Sequence, residues 1–255
     1  MGTTRTNGSL YTSINNKVAT VEFGHPASNS FVAELLERLT NEINKLSKND
    51  DISVIVLKSE GDRAFCAGAS FDELMQVSNL EEGKQFFSGF ANVINAMRKC
   101  SKLIIGRVQG KAVGGGVGLV SACDYAFATE DASVKLSELS IGIGPFVIAP
   151  AVERKIGKNG LAELTLAATE WKNAFWAKEK GLYAKVFNST KGMDKELDFF
   201  AQKLAAYSPE ALIEMKKVLW EGTENWDDLL AERALVSGKL VLSNFTRTAL
   251  SKFKK

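Results

Sequence analysis

The sequence predicts an α/β protein with a helical carboxy-terminal region, and three observations predict it. Val54-Ile55-Val56-Leu57 and Leu103 to Val108 are short, almost wholly apolar runs, the mark of strands covered on both faces. Each is followed by a turn of small residues and then a helical pattern, the strand–turn–helix order of an α/β core. From about residue 158 strand patterns are few and helix patterns dominate.

Taken in order, residues 1–10 read as a disordered lead-in. Val18 to Phe23 alternates and reads as a strand, broken by Gly24-His25-Pro26. Phe31 to Leu46 carries Val32, Leu35, Leu36, Leu39, Ile43 and Leu46 on one helical face. Helices are expected from Phe71 to Met75 and from Phe86 to Arg98, a small-residue helix from Gly116 to Asp124, and a strand from Tyr125 to Thr129. Later helices are expected over Gly160–Ala168, Ala174–Lys180, Lys195–Ala206, Pro209–Trp220 and Trp226–Phe245. Ser208-Pro209 is a helix start, with serine as cap and proline in the first turn. The expected division is a core over residues 1–190 and a helical region over 191–255.

The chain of 255 residues suits one α/β domain or one domain with an appendage, with 45% apolar and 24% charged residues. A net charge of +2 gives no global field toward nucleic acid or an anionic membrane, so neither partner is expected. No apolar run approaches the ~18 residues of a membrane span. The Thr-, Asn- and Gly-rich start does not read as a signal peptide. Met1 to Thr6 fits a loose acylation pattern that matches by chance often, and it is discounted. Cys66, Cys100 and Cys123 show no paired spacing and read as reduced structural thiols of a cytoplasmic protein.

The chemistry is concentrated in two glycine-rich turns and one glutamate. The turns are Phe65-Cys66-Ala67-Gly68-Ala69-Ser70 and the segment from Gly110 to Gly118; Glu138 follows. Small residues let a backbone approach a ligand and aim N–H groups at it. Two such loops can supply two donors to one oxygen, the design of an oxyanion hole. Glu138 lies in the mostly apolar stretch from Leu136 to Phe146. Desolvation there raises a carboxyl pKa and makes a general base near neutral pH.

Rival chemistries fit less well. Gly114-x-Gly116 is followed by Leu119 where a dinucleotide fingerprint needs its third glycine. Gly110-Lys111 is followed by Ala112 and lies on the wrong side of the glycines for a phosphate loop. His25, the one histidine, reads as shaping an early turn. No nucleophile elbow exists, since Gly68-Ala69-Ser70-Phe71-Asp72 ends in aspartate. One histidine and three scattered cysteines do not suggest a metal site.

Together these residues resemble the enoyl-CoA hydratase/isomerase, or crotonase, family over about residues 11 to 250. The motifs are His25-Pro26 through Asn29, Ala64 to Ala69, Val108-x-Gly110-x-Ala112-x-Gly114-Gly115-Gly116, Cys123-Asp124, Glu138-x-x-x-Gly142 and Ser208-Pro209. The resemblance implies a spiral of ββα turns with a helical carboxy-terminal region that carries contacts of a homotrimer or a dimer of trimers. It implies acyl-CoA thioesters as substrates and no cofactor beyond them. The family's oxyanion donors match the N–H groups of Ala69 and Gly115. Backbone around Ala67 and Gly68 matches the segment that receives coenzyme A, and Gly114 and Phe146 are expected to touch substrate.

The departures from the family pattern bear on the reaction. Family hydratases hold a water with two glutamates. Glu138 matches the second, whereas the first position is Gly118, also expected at the substrate. A single glutamate resembles the Δ3,Δ2-enoyl-CoA isomerases, in which one carboxylate removes a proton at C2 and returns it at C4. Ser70 stands where many members have aspartate, and Phe146 and Val147 are bulky in a loop that is often glycine-rich. Double-bond isomerisation is therefore the expected reaction. Hydration is the alternative, thioester hydrolysis and decarboxylation also run on this scaffold, and a non-catalytic acyl-CoA-binding subunit is the alternative of another class.

Overall fold

The apolar runs form the centre of a six-stranded sheet in the computed structural model, which describes residues 6–252. β1 (Ser9–Asn15) and β2 (Val18–Gly24) make an antiparallel hairpin. Its turn residues, Asn16 and Lys17, have φ of 48° and 67°, as a two-residue turn matching strand twist requires. α1 (Ala33–Ser47) leads to β3 (Val54–Ser59). Next come β4 (Ala64–Cys66), α2 (Phe71–Gln76), α3 (Leu80–Lys99) and β5 (Leu103–Val108). β6 (Lys111–Val113), α4 (Gly115–Ala122), β7 (Tyr125–Thr129) and β8 (Ser133–Lys135) follow.

A 3-10 turn at Glu138–Ile141 precedes α5 (Ala149–Leu166), β9 (Lys172–Asn173), α6 (Ala174–Glu179) and β10 (Lys185–Phe187). The chain closes with α7 (Thr190–Ala205), α8 (Pro209–Leu219), α9 (Trp226–Val241) and α10 (Asn244–Ser251). The large sheet has the order β1-β2-β3-β5-β7-β10 and is parallel from β2 onward. A second sheet has the order β4-β6-β8-β9, parallel over its first three strands.

Strand alternation splits the core. Ile55, Leu57 and Ile104 join Leu35, Leu39 and Ile43 of α1 and Val93, Ile94 and Met97 of α3 on one face. Val54, Val56, Ile105 and Phe127 meet Met193, Leu197, Ala201 and Ala205 of α7 on the other. Burial on both faces is why β3 and β5 read as continuous apolar runs. Trp226, Leu230 and Ala234 of α9 belong to the first cluster, so the helices after residue 190 pack into the layers of the preceding chain.

Several element bounds differ from the sequence expectation. Ser9 and Leu10, expected in a disordered lead-in, begin the edge strand β1. The helix expected from Phe86 starts at Leu80, where Asn79 Oδ1 accepts from Glu82 N at 3.0 Å. The helix expected from Lys195 starts at Thr190 with Ser189 as cap. The one expected at Gly160 starts at Ala149 and is kinked at Gly157, whose φ is 69°. The helix expected to run to Phe245 ends at Val241, because Ser243 caps a new one by accepting from Thr246 N. Ser208 caps α8 as expected, its Oγ accepting from Ala211 N at 3.2 Å. The acylation pattern, apart from Thr6, and tail residues 253–255 lie outside the described residues.

Candidate active site

The second sheet positions the site. Its parallel strands β4, β6 and β8 each deliver one segment at the carboxyl edge: Ala67–Ala69, Gly114-Gly115 and Glu138. Ligands of open α/β sheets bind at that edge. Val113 pairs with Lys135, and Gly114 N donates to Lys135 O at 3.0 Å, fixing the second segment against the third. Asn29 fixes the first from below. Its Nδ2 donates to Ala64 O at 2.9 Å and to Glu60 O at 2.8 Å. This assigns a structural role to the His25–Asn29 motif. The His25 ring accepts from Ala27 N through Nδ1, so the histidine shapes its turn.

The two glycine turns meet. A Cβ built on Gly68 would lie 3.0 Å from Val113 O and 3.6 Å from Gly115 N. Ala69 is bridged to Phe31, with Phe31 N donating to Gly68 O and Ser70 N donating to Phe31 O. That ladder uses the amides on either side of Ala69 and leaves its own N–H without a protein partner. The N–H of Gly115, first residue of α4, is likewise unpartnered. Amides at a helix amino terminus have no intrahelical acceptor, and the helix dipole favours negative charge there. Both Ala69 and Gly115 line a cavity of about 400 Å³.

Glu138 lies on the same cavity. The residue as a whole is half-buried, yet its Oε2 is buried with no hydrogen-bond partner. Burial pushes the carboxyl up from 4.5 to about 7, because a low-dielectric site disfavours the charged form. The remaining lining is largely aromatic and aliphatic: Phe71, Phe86, Phe87 and Phe90 on one side, Ile143, Phe146, Val147 and Ile148 on another. Glu138 is the one carboxylate among the lining residues.

The other expected site residues are placed as follows. Ala67 is exposed at the cavity mouth, and Gly68, Gly114 and Phe146 line the cavity. Gly118 does not: it is buried in α4, and a Cβ there would lie 2.5 Å from Ile148 Cγ2. The Ile148 side chain stands between it and the ligand space. Cys66 accepts from Gly68 N through Sγ at 3.3 Å beneath the first turn. Burial pushes its thiol up to about 12, so it stays protonated. Among the described residues no group of three or more histidine, cysteine or acidic side chains is set to hold a metal.

Sequence reasoning missed the aromatic wall from α3 and the two polar side chains Lys135 and Ser237. Lys135 Nζ lies 4.6 Å above the Trp171 ring, which Lys111 approaches at 4.9 Å. Helical spacing of Phe86, Phe87 and Phe90 signals a buried face. It does not distinguish a core from a cavity wall.

Residues 13–246 match the family model described as enoyl-CoA hydratase/isomerase. The chain is 29% identical over 197 residues to a peroxisomal Delta(3,5)-Delta(2,4)-dienoyl-CoA isomerase of Arabidopsis thaliana, covering 71% of this chain and 69% of that one. It is 25% identical over 240 residues to a short-chain-enoyl-CoA hydratase of Clostridium acetobutylicum, covering 93% and 91%. Among solved structures, an enoyl-CoA hydratase from Bacillus halodurans superposes with a TM-score of 0.87 at 19% identity, over 95% of this chain and 99% of that one. This likeness shows the crotonase-type α/β fold with its helical carboxy-terminal region. With the family model spanning nearly the whole chain, the protein is an enzyme of the enoyl-CoA hydratase/isomerase family.

Proposed function

We propose that this enzyme shifts the double bond of an enoyl-CoA, with Glu138 as the single acid/base and the Ala69 and Gly115 amides as the oxyanion hole. The observation that carries it is that one carboxylate faces a cavity with two unpartnered amides, while the position of a second carboxylate is Gly118, packed under Ile148. Glu138 takes the C2 proton of a 3-enoyl thioester. The electron pair forms C1=C2 and the thioester oxygen takes the charge, giving an enolate conjugated with C3=C4; as C4 accepts the proton, C3=C4 shifts to C2=C3 and the C1 carbonyl re-forms. Returning the proton to C4 regenerates the carboxylate and leaves the 2-enoyl product. Fixed donors at a developing oxyanion are worth about 3–4 kcal/mol each in acyl transfer.

Ala67 and Gly68 at the mouth receive the coenzyme A portion, and the lysine pair at Trp171 supports an anionic group there. The coenzyme A thioester is the substrate, and the chemistry needs no further cofactor or metal. The exposed apolar side chains Phe199, Tyr207, Val218, Leu219 and Phe245 support self-association through the region after residue 190, as a homotrimer or a dimer of trimers. Among the described residues no helix is long and apolar enough to cross a membrane. Three free, buried cysteines support a cytoplasmic placement.

The test is product analysis with cis-3-hexenoyl-CoA and crotonyl-CoA. A trans-2 product from the first and no hydration of the second is the expected result. Rapid formation of 3-hydroxybutyryl-CoA overturns it in favour of hydration.

A further inference from the structure

Two side-chain oxygens on the cavity are buried without a partner, and the proton-transfer reading uses only one of them. Glu138 Oε2 is the first; Ser237 Oγ is the second. Ser237 is 1% exposed, and it lies on α9 where that helix crosses α3. The crossing is close: a Cβ on Gly83 would lie 2.9 Å from Gly238 Cα. This contact seats Ser237 against the helix that supplies Phe86, Phe87 and Phe90. One turn later Val241 packs with Leu74 and Ile143 at the same end of the cavity.

A lone buried hydroxyl in an aromatic chamber is costly unless a partner arrives. Of the other lining polar side chains, neither Ser140 nor Lys135 supplies one. Ser140 Oγ donates to Ser137 O at 2.6 Å, and Lys135 is held over Trp171 on the second sheet. We infer that Ser237 is a specificity residue that hydrogen-bonds an uncharged oxygen substituent, a hydroxy or oxo group, on the acyl chain of the thioester. An uncharged group is specified because the neighbours of Ser237 on α3 and α9 at the cavity are apolar and offer no cation to a carboxylate. A hydroxyl both donates and accepts, so it serves either form. The inference rests on the acyl-thioester reading of the site but not on the reaction performed there.

The test is binding, by calorimetry, of saturated acyl-CoA thioesters that cannot isomerise. A panel carries one hydroxy or oxo group at successive carbons beyond C4, beside the unsubstituted chain of equal length. The expected result is one position at which Ser237→Ala weakens affinity roughly tenfold, the cost of a lost buried hydrogen bond. The unsubstituted chain binds as before or more tightly, and the melting temperature of Ser237→Ala does not fall, since the hydroxyl has no protein partner to lose. Equal losses across the panel, or none, overturn the inference. The same selectivity in a protein that turns over no enoyl-CoA upholds it while removing the isomerase reading; no binding of any acyl-CoA removes both.

Discussion

Glu138 lies directly over Gly114: a Cβ on Gly114 would stand 2.8 Å from Glu138 Oε1. Gly114 has φ of 52° and ψ of −119°, a backbone closed to most side chains. The same residue thus caps α4, aims the Gly115 amide and clears room for the carboxylate. Gly114→Ala meets both the strained φ and the carboxylate. We expect kcat to fall at least about a hundredfold, as for loss of one oxyanion donor, with steady-state kinetics as the check. Activity near that of the parent would show that the carboxylate is free to move away.

Glu138→Gln keeps the shape of the side chain and removes the proposed base. A positioned acid/base contributes about 10²–10⁴ to rate, so isomerisation should drop into that range with the circular dichroism spectrum unchanged. Parent-like turnover would remove Glu138 from the mechanism.

The pH profile follows from the raised carboxyl. As the proposed base, Glu138 begins ionised, so kcat/KM of the free enzyme should rise with pH through about 7 and level off above it. A profile already flat at pH 5 contradicts a buried base.

Stability moves the opposite way. Between 4.5 and about 7 the folded carboxyl keeps its proton while the unfolded one has lost it. The native state binds more protons there, so its stability falls as pH rises through this window and is constant above it. Glu138→Gln should therefore be more stable than the parent at pH 8, by on the order of 3 kcal/mol. The difference should vanish below about pH 4.5, which urea melts at the two pH values measure.

Gly118→Glu tests why the second carboxylate position is glycine. The new side chain is driven into Ile148, and overpacking a filled core costs about 1–3 kcal/mol. A lowered melting temperature and no hydration of crotonyl-CoA are expected. If hydratase activity appears, Ile148 yields more readily than its packing implies.

Much of the fold was legible in local sequence because its signals are local. β3 and β5 announce themselves by unbroken apolar runs, α1 by the spacing of Leu35, Leu39 and Ile43, and α8 by Ser208-Pro209. β4, β6 and β8 were not legible. Each is three residues long, too short for a period of two to show, and two of them were absorbed into the glycine turns. The end of α9 was missed because Leu240 to Phe245 stays helix-compatible until Ser243 finds Thr246 N.

The sequence by itself determined the candidate groups of the site. Two small-residue turns and a glutamate among apolar neighbours offer an amide pair and a carboxylate, since residue type limits what each position can donate or accept. Tertiary structure decided their relation. Only pairing β4, β6 and β8 side by side brings residues 69, 115 and 138 to one sheet edge. Only the packing of α4 on α5 shows that Gly118 faces Ile148, and only the crossing of α9 on α3 places Ser237 at the cavity. Cavities and desolvation belong to groups distant in the chain, and no local pattern encodes which of them will share a wall.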